Sequence, residues 1–555
     1  MKPFKDQQRS IDEIFDAFNS SQRVLYQLST GGGKTAIFSF IAKKFIKDTQ
    51  KKVLVCAHRD KLIDQTLKTL RTIGVTCESV VASKKTLQHR SNCYVAMIQT
   101  LKNRLKSDPN FVKDIGLIIC DEAHLDIFKD IFDYFPDAKI LAVTATPISL
   151  KKISYSKCSI CNTEHDEVVT CCNRETYEYS RQFTYSEIYH KIIIGENISS
   201  LIMNDRLVKD VNYEVGSCNR DEFTIDSKTG DFDSKSTEKY FGSFNVVKNY
   251  EEICKGEKTI VFNSSTTTNL KCYNDFLDAG YTNVRLIDSK NTKKSEVKPI
   301  LDWYKNTTDA ILLNCDVLTA GFDEPTIKAV ILNRSTLSLS LYLQMVGRGG
   351  RICSTEFKPI FKVIDGGGNI QYFANKYNNS GKWSDEYDWE GIFYGKYDKP
   401  KPKKEPLDQT KECQNCGAVV SKTAIICDFC ETEFAPDNKK REQGYSDEVA
   451  QIIDEIPLPD GKKIVQYCNR LGRDRNFALT VLINQVLDLF FYHNVSEGCF
   501  INTVNNGKFE MSIRNIIKEP YQTIYKSELE GVIFRRKSYI IDKIKKKLNE
   551  YYSKK

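Results

Sequence analysis

The sequence predicts an α/β protein with two tandem parallel-sheet domains, then a small cysteine-rich module and a mainly helical C-terminal region. Three observations carry this. Short apolar runs alternate with helix-period stretches over residues 1–152, and the same rhythm resumes near Lys258. A run of three glycines separates one apolar run from the helix after it. Two close cysteine pairs follow a stiff linker rich in proline and lysine. At 555 residues there is room for three or four domains of ordinary size.

In the first unit the strand-like runs are Val24–Leu28, Val53–Ala57, Tyr94–Ile98, Gly116–Cys120 and Ile140–Thr144. They are continuously apolar, as strands covered on both faces are. Ala36–Lys47 reads as a helix. In the second unit the runs are Thr259–Phe262, Val284–Ile287, Ala310–Leu313, Ala329–Leu332 and Phe361–Ile364. The expected segments are 1–152 and 181–396 for the two α/β domains, with a Cys-rich insertion at 153–180. A linker at 397–412, a cysteine module at 413–434 and a helical basic region at 445–555 follow. The polar stretch 216–245 reads as a loop leading into the second unit.

Leu28-Ser29-Thr30-Gly31-Gly32-Gly33-Lys34-Thr35 stands between a strand and a helix. Backbone N–H groups of such a loop at a helix start can cradle phosphates, so Thr30, Gly31, Gly32 and Gly33 are candidate nucleotide contacts. Lys34 would reach the β/γ-phosphates and the Thr35 hydroxyl would ligate Mg²⁺. Leu28 departs from the usual pattern, which has glycine there. Asp121-Glu122-Ala123-His124 ends another apolar run: Asp121 would help hold the metal and Glu122 could polarise water. Both halves together point to ATP hydrolysis. In Gln344-Met-Val-Gly347-Arg348-Gly-Gly-Arg351 the guanidinium groups can fork onto phosphate oxygens and stabilise charge on a transferring γ-phosphoryl group.

Cys413, Cys416, Cys427 and Cys430 form C-x₂-C-x₁₀-C-x₂-C, a four-thiolate zinc ribbon whose filled ligand set makes the Zn²⁺ structural. Cys158 and Cys161 share knuckle spacing, and Cys171 and Cys172 can complete a second zinc set, with His165 an alternative fourth ligand. The remaining cysteines read as buried thiols.

Formal net charge is +8, and Arg535–Lys555 holds nine basic and two acidic residues. That segment is either a phosphate-binding face or the solvated side of a terminal helix. No apolar run reaches the roughly 18–20 residues of a membrane span, and the start is too polar for a secretory signal, so no membrane partner is expected.

The order of these blocks resembles superfamily 2 helicases and translocases of the DEAD/DEAH type. That resemblance implies two RecA-like domains with ATP and Mg²⁺ in the cleft between them. It implies an adenine-reading Gln7, nucleic-acid contacts at His58, Arg59, Gln99, Thr100 and Thr319, and nucleotide contacts at Gly321, Asp323 and Gln344. Thr144-Ala145-Thr146-Pro147 matches the segment that couples ATP state to domain closure. Arg351 matches the arginine finger and Arg348 its γ-phosphate partner.

About the first 435 residues look closest to RadD-like bacterial and phage DNA helicases. Val363-Ile-Asp365-Gly-Gly-Gly-Asn369-Ile370, Trp389, Ile198–Leu207, Gly230-Asp231-Phe232 and the four-cysteine module carry the likeness. Asn369-Ile370-Gln371-Tyr372 departs from it where that group has a histidine-glycine pair. The implied activity is an ATP-dependent DNA helicase or translocase of repair, recombination or replication. It would act on single-stranded, forked or branched DNA in the cytoplasm of a bacterial or phage-infected cell. The zinc ribbon or the C-terminal region would meet a protein partner. The competing readings are the motor subunit of a restriction or defence complex and an RNA helicase. An intrinsic nuclease is disfavoured, because Pro436-Asp437 and Asp460-Gly461-Lys462 lie in polar loops without the strands such a site needs.

Overall fold

The computed structural model describes residues 2–402, apart from 59, 85, 88–89, 124–126, 159, 162, 166–168, 173, 176, 216–217, 319–321, 357 and 398–400, together with strand segments 410–412, 419–421 and 451–452. The chain divides into two compact units, Met1–Ile352 with Ile360–Ile453, and Cys353–Pro359 with Asp454–Lys555. Both large sheets belong to the first unit. The expected zinc ligands Cys413, Cys416, Cys427 and Cys430, and the expected helical region at 445–555 apart from 451–452, lie outside the described residues.

The first sheet has seven strands, all parallel, in the order Lys191–Ile194, Arg23–Gln27, Lys139–Thr144, Ile115–Asp121, Lys52–Ala57, Cys93–Met97, Cys77–Val80. Alternate side chains explain its two covered faces. Val24, Tyr26, Val53, Val55, Leu117, Ile119, Leu141 and Val143 pack under the helices Lys5–Ser20, Lys34–Thr49 and Asp60–Thr72. Their neighbours Leu25, Leu54, Cys56, Ile118, Cys120 and Ala142 face the opposite way, into a core shared with helix Ile98–Ser107 and with the second sheet.

The second sheet runs Val284–Ile287, Ile311–Asn314, Thr259–Asn263, Ala329–Asn333, Ile360–Asp365, Lys209–Glu214, with short antiparallel Gln451–Ile452 at its edge. A separate four-stranded sheet has the order Lys401–Pro402, Tyr177–Gln182, Lys152–Lys157, Glu164–His165, every pairing antiparallel.

Three features differ from expectation. Lys191–Ile194 pairs with Arg23–Gln27, so the first sheet reclaims residues beyond the boundary expected at 181. Lys209–Glu214 is a strand although it alternates with charge; Asp210 and Asn212 are fully buried and hydrogen-bond each other at 2.8 Å. The stretch 216–245 is not one loop. It contains helix Ser234–Ser243, capped by Asp233, and a buried aromatic cluster of Phe223, Tyr240 and Phe241.

That stretch also supports the helix Leu339–Val346. Arg220 Nη1 donates to Gly367 O at 3.2 Å, Gly368 O at 3.1 Å and Asn369 Oδ1 at 3.2 Å, and its guanidinium lies 4.2 Å over Tyr372. Asp231 accepts from the Leu337 N–H at 2.7 Å, and Asn369 Oδ1 accepts from Thr336 N–H at 3.0 Å. The loop Arg334–Ser338, which feeds that helix, is thereby tied to both segments.

Candidate active site

The phosphate loop begins where Arg23–Gln27 leaves the sheet and ends at the Lys34–Thr49 helix. The loop edge and Asp121 both sit at the C-terminal ends of parallel strands, the side on which open α/β sheets bind ligands. Gly31 and Gly33 have φ of +94° and +91°, a left-handed backbone that glycine adopts without steric cost. Leu28 is 1% exposed and its side chain lies under Gly32, where an added Cβ would meet Leu28 Cγ at 2.7 Å. The departure from the usual glycine thus fills the floor of the loop and makes Gly32 obligatory.

Beneath the loop, burial pushes the Tyr26 phenol up to about 12, so it stays a neutral group. Gln27 Nε2 donates to Ala145 O at 2.9 Å, and Leu28 N–H to Thr144 O at 3.0 Å. Lys34 Nζ rests 3.4 Å from Leu28 O, a long contact that a phosphate oxygen would outcompete. Asp121 closes its strand 5% exposed and accepts from the Glu122 N–H at 3.0 Å. Glu122 has φ of +55°, unusual for a non-glycine residue and typical of positions held by function. Neighbouring Cys120 is a buried thiol, pushed well above its ordinary pKa by burial, as the reading of the scattered cysteines expects.

The second sheet contributes the facing half. Arg351 Nε pairs with Asp323 Oδ1 at 3.3 Å, and a Cβ on Gly31 would stand 2.6 Å from Arg351 Nη1. The guanidinium therefore already lies on the phosphate loop. Arg348 is 5% exposed and donates through Nη1 to Phe322 O, one residue before Asp323. Gln344 Nε2 donates to Ser340 Oγ at 3.3 Å within the Leu339–Val346 helix.

Gln7 is buried in the first turn of Lys5–Ser20, where its Oε1 accepts from the Phe4 N–H at 3.1 Å. Its Nε2 lies where a Cβ on Gly33 would be met at 3.0 Å. His58 is half-buried at the end of Lys52–Ala57; Gln99 is exposed and Thr100 half-buried in the first turn of Ile98–Ser107. Arg59, His124, Thr319 and Gly321 lie outside the described residues.

One residue of this site escapes sequence reasoning. Arg206 Nη1 pairs with Asp6 Oδ2 at 2.6 Å, its Nη2 donates to Gly32 O at 2.8 Å, and its guanidinium sits 4.8 Å over Phe4. Its neighbour Leu207 packs on Gly31. Arg206 lies within Ile198–Leu207, a segment that carries the family likeness, but nothing in its residue type there marks it as a loop contact.

Residues 1–149 match the family model described as Type III restriction enzyme, res subunit, and residues 242–353 match Helicase conserved C-terminal domain. Over 421 residues the chain is 26% identical to a 51.5 kDa protein of Lactococcus phage (isolate 7-9), covering 75% of this chain and 79% of that one. It is 28% identical to IRC3 of Saccharomyces cerevisiae, a protein named for a proposed ATP-dependent helicase activity, over 62% of this chain and 49% of that one. It is 24% identical to the Type I restriction enzyme EcoAI endonuclease subunit of Escherichia coli, over 67% of this chain and 46% of that one. The chain thus spans about half the length of the yeast and E. coli relatives.

Proposed function

The chain belongs to the DEAD/DEAH-type helicases of superfamily 2, nucleic-acid-dependent ATPases, and on that premise we propose that it couples ATP hydrolysis to movement along DNA. The observation that carries the reading is Arg351 reaching across from the second sheet onto Gly31 of the phosphate loop. A hydrolytic centre assembled from both sheets is made and unmade as they close and part, which is how phosphate chemistry becomes stepping.

The residues present fit a nucleotide and its metal: a three-glycine turn with left-handed Gly31 and Gly33 at a helix start, a lysine in a long contact with Leu28 O, and a buried carboxylate at a strand end. ATP with Mg²⁺ supplies the phosphoryl group and the divalent charge. Thr30 to Gly33 offer backbone N–H groups; Thr35 and Asp121 would hold the metal; Lys34 would neutralise the outer phosphates. Glu122, just past Asp121, would orient the attacking water. Arg351, with Arg348 behind it, would meet charge that grows only as the phosphoryl group transfers. Asp323 keeps Arg351 aimed at the loop. Gln7 reads the base edge, while His58, Arg59, Gln99, Thr100 and Thr319 follow the nucleic-acid backbone.

DNA is favoured over RNA by the match of residues 1–149 to a restriction-enzyme model. Repair or recombination, with Cys413, Cys416, Cys427 and Cys430 as a zinc-braced ribbon near DNA, is the physiological role we assign through the RadD-like likeness. The similarity to a restriction endonuclease subunit supports a second reading, the motor of a larger DNA-cutting complex. Steady-state ATPase with single-stranded, duplex and forked DNA and with RNA, beside Glu122→Gln, tests the proposal. Stimulation by a DNA form that vanishes in Glu122→Gln supports it. Equal low rates with every nucleic acid, or stimulation by RNA alone, defeat it.

A further inference from the structure

The small antiparallel sheet sits on a chain excursion that leaves the first domain just after Thr146-Pro147. It opens at Lys152 and closes at Gln182, where the Phe183 N–H donates to Lys151 O at 2.8 Å. Strands of two to six residues make it, and Lys401–Pro402 adds to its outer edge. Among its described side chains from 152 to 182 only Ser156 and Cys158 are buried. A sheet this small, with so few of its described side chains buried, gains from another source of stability, and a metal or disulfide is the usual one.

Four sulfurs meet here. The Sγ atoms of Cys158, Cys161, Cys171 and Cys172 all lie within 4.8 Å of one another, while His165 stands outside that group. Cys161 and Cys171 are 3.6 Å apart, and Cys171 and Cys172 3.9 Å. Four thiolates at about 2.3 Å from one tetrahedral Zn²⁺ stand roughly 3.8 Å from each other. A disulfide requires about 2.05 Å, and all four thiols are free.

The local backbone suits a metal knuckle. Ile160 N–H points at Cys158 Sγ from 3.4 Å, and Cys161 Sγ lies 3.1 Å from the Thr163 hydroxyl. Cys171 lies on a short strand pairing with Arg174–Glu175, and Cys172 turns the chain with φ of +51°.

We propose that Cys158, Cys161, Cys171 and Cys172 bind one zinc ion as a closed tetrathiolate that holds this ribbon folded. A filled set of four cysteines leaves no position for substrate, so the ion is structural. It ties the turn after Lys152–Lys157 to the Thr170–Cys171 strand, at the end of the excursion away from Lys152 and Gln182.

The test is the metal content of the full chain, purified without chelator, as wild type and as Cys161→Ser/Cys171→Ser. The variant should contain one zinc equivalent fewer, and because the 413–430 cysteines are untouched the loss is assigned to the ribbon. Equal zinc in the two proteins overturns the proposal. A second measurement does not depend on the variant folding. Wild-type chain is labelled with N-ethylmaleimide before and after treatment with a strong zinc chelator and mapped by mass spectrometry. The four cysteines should label only after chelation, while half-buried Cys218 labels equally in both. Labelling of the four without chelator, or a disulfide among them in an unreduced digest, overturns it.

Discussion

The Thr146 hydroxyl donates to Ser340 Oγ at 2.6 Å, with both residues buried. Thr146 lies just past the strand Lys139–Thr144 of the first sheet, and Ser340 in the helix that ends beside Arg348. Ser340 also accepts from Gln344 at 3.3 Å, so one hydroxyl joins the two halves of the site. Ser340→Ala should leave nucleic-acid binding and basal ATPase near wild type but lower the stimulated rate. A buried hydrogen bond contributes about 0.5–1.5 kcal/mol, or roughly 2- to 12-fold. ATPase titrations against DNA check this; an unchanged maximal rate would mean the bond does not couple the sheets.

Two left-handed glycines separate backbone strain from steric exclusion. Gly31 has φ of +94° and is crowded by Arg351 and Leu207, whereas Gly74 has φ of +82° with nothing within 4 Å. Gly74→Ala bears the left-handed penalty alone, about 1–2 kcal/mol of stability, with ATPase intact in the folded fraction. Gly31→Ala bears the same strain and also displaces the arginine, so ATPase should fall at least about 100-fold. Thermal melts beside ATPase assays separate the two effects.

The strands of both sheets are legible where they are continuously apolar, because covered parallel strands have few polar positions. Cys77–Val80 and Lys209–Glu214 escape because at least half their residues are polar, and the buried Asp210 and Asn212 are reconciled with the core by the hydrogen bond they make to each other. Lys191-Ile-Ile-Ile194 is visibly apolar, yet parallel pairing is non-local, so nothing in its sequence assigns it to the first sheet rather than the second. The loop residues Gly31 to Thr35 and the pair Asp121-Glu122 are legible because phosphate and metal chemistry demand those residue types at that spacing. Arg206 is not, since an arginine between two elements looks the same whether it faces water or the loop.

Arg348 and Arg351 should fail in different ways. Arg348 is 5% exposed and holds Phe322 O, so Arg348→Ala removes a buried hydrogen-bonded charge and should lower both melting temperature and ATPase. Arg351 is partly exposed, with its salt bridge to an Asp323 whose side chain is 71% exposed. Arg351→Lys should melt like wild type while kcat falls roughly 10³-fold, because a lysine cannot reproduce the fork that steadies a transferring phosphoryl group. Equal losses of stability in the two variants would assign Arg351 to architecture instead of chemistry.

Arg206 makes a prediction about affinity rather than chemistry. It holds Gly32 O at 2.8 Å and Asp6 at 2.6 Å, so it fixes the loop and the first turn of Lys5–Ser20 together. Gln7 is carried on that same turn, which means Arg206 sets where the amide stands relative to Gly33. Arg206→Ala frees the loop carbonyl and the turn without touching Glu122 or Arg351, so KM for ATP should rise about 5- to 10-fold with kcat changed less. Asp6→Asn keeps the packing and loses the charge, and should give a smaller rise. Because the two side chains act as a unit, Asp6→Ala and Arg206→Ala should combine to less than the sum of their separate effects, with a coupling of about 1 kcal/mol. Additive KM effects would show that Arg206 works through Gly32 alone and that Asp6 is a bystander.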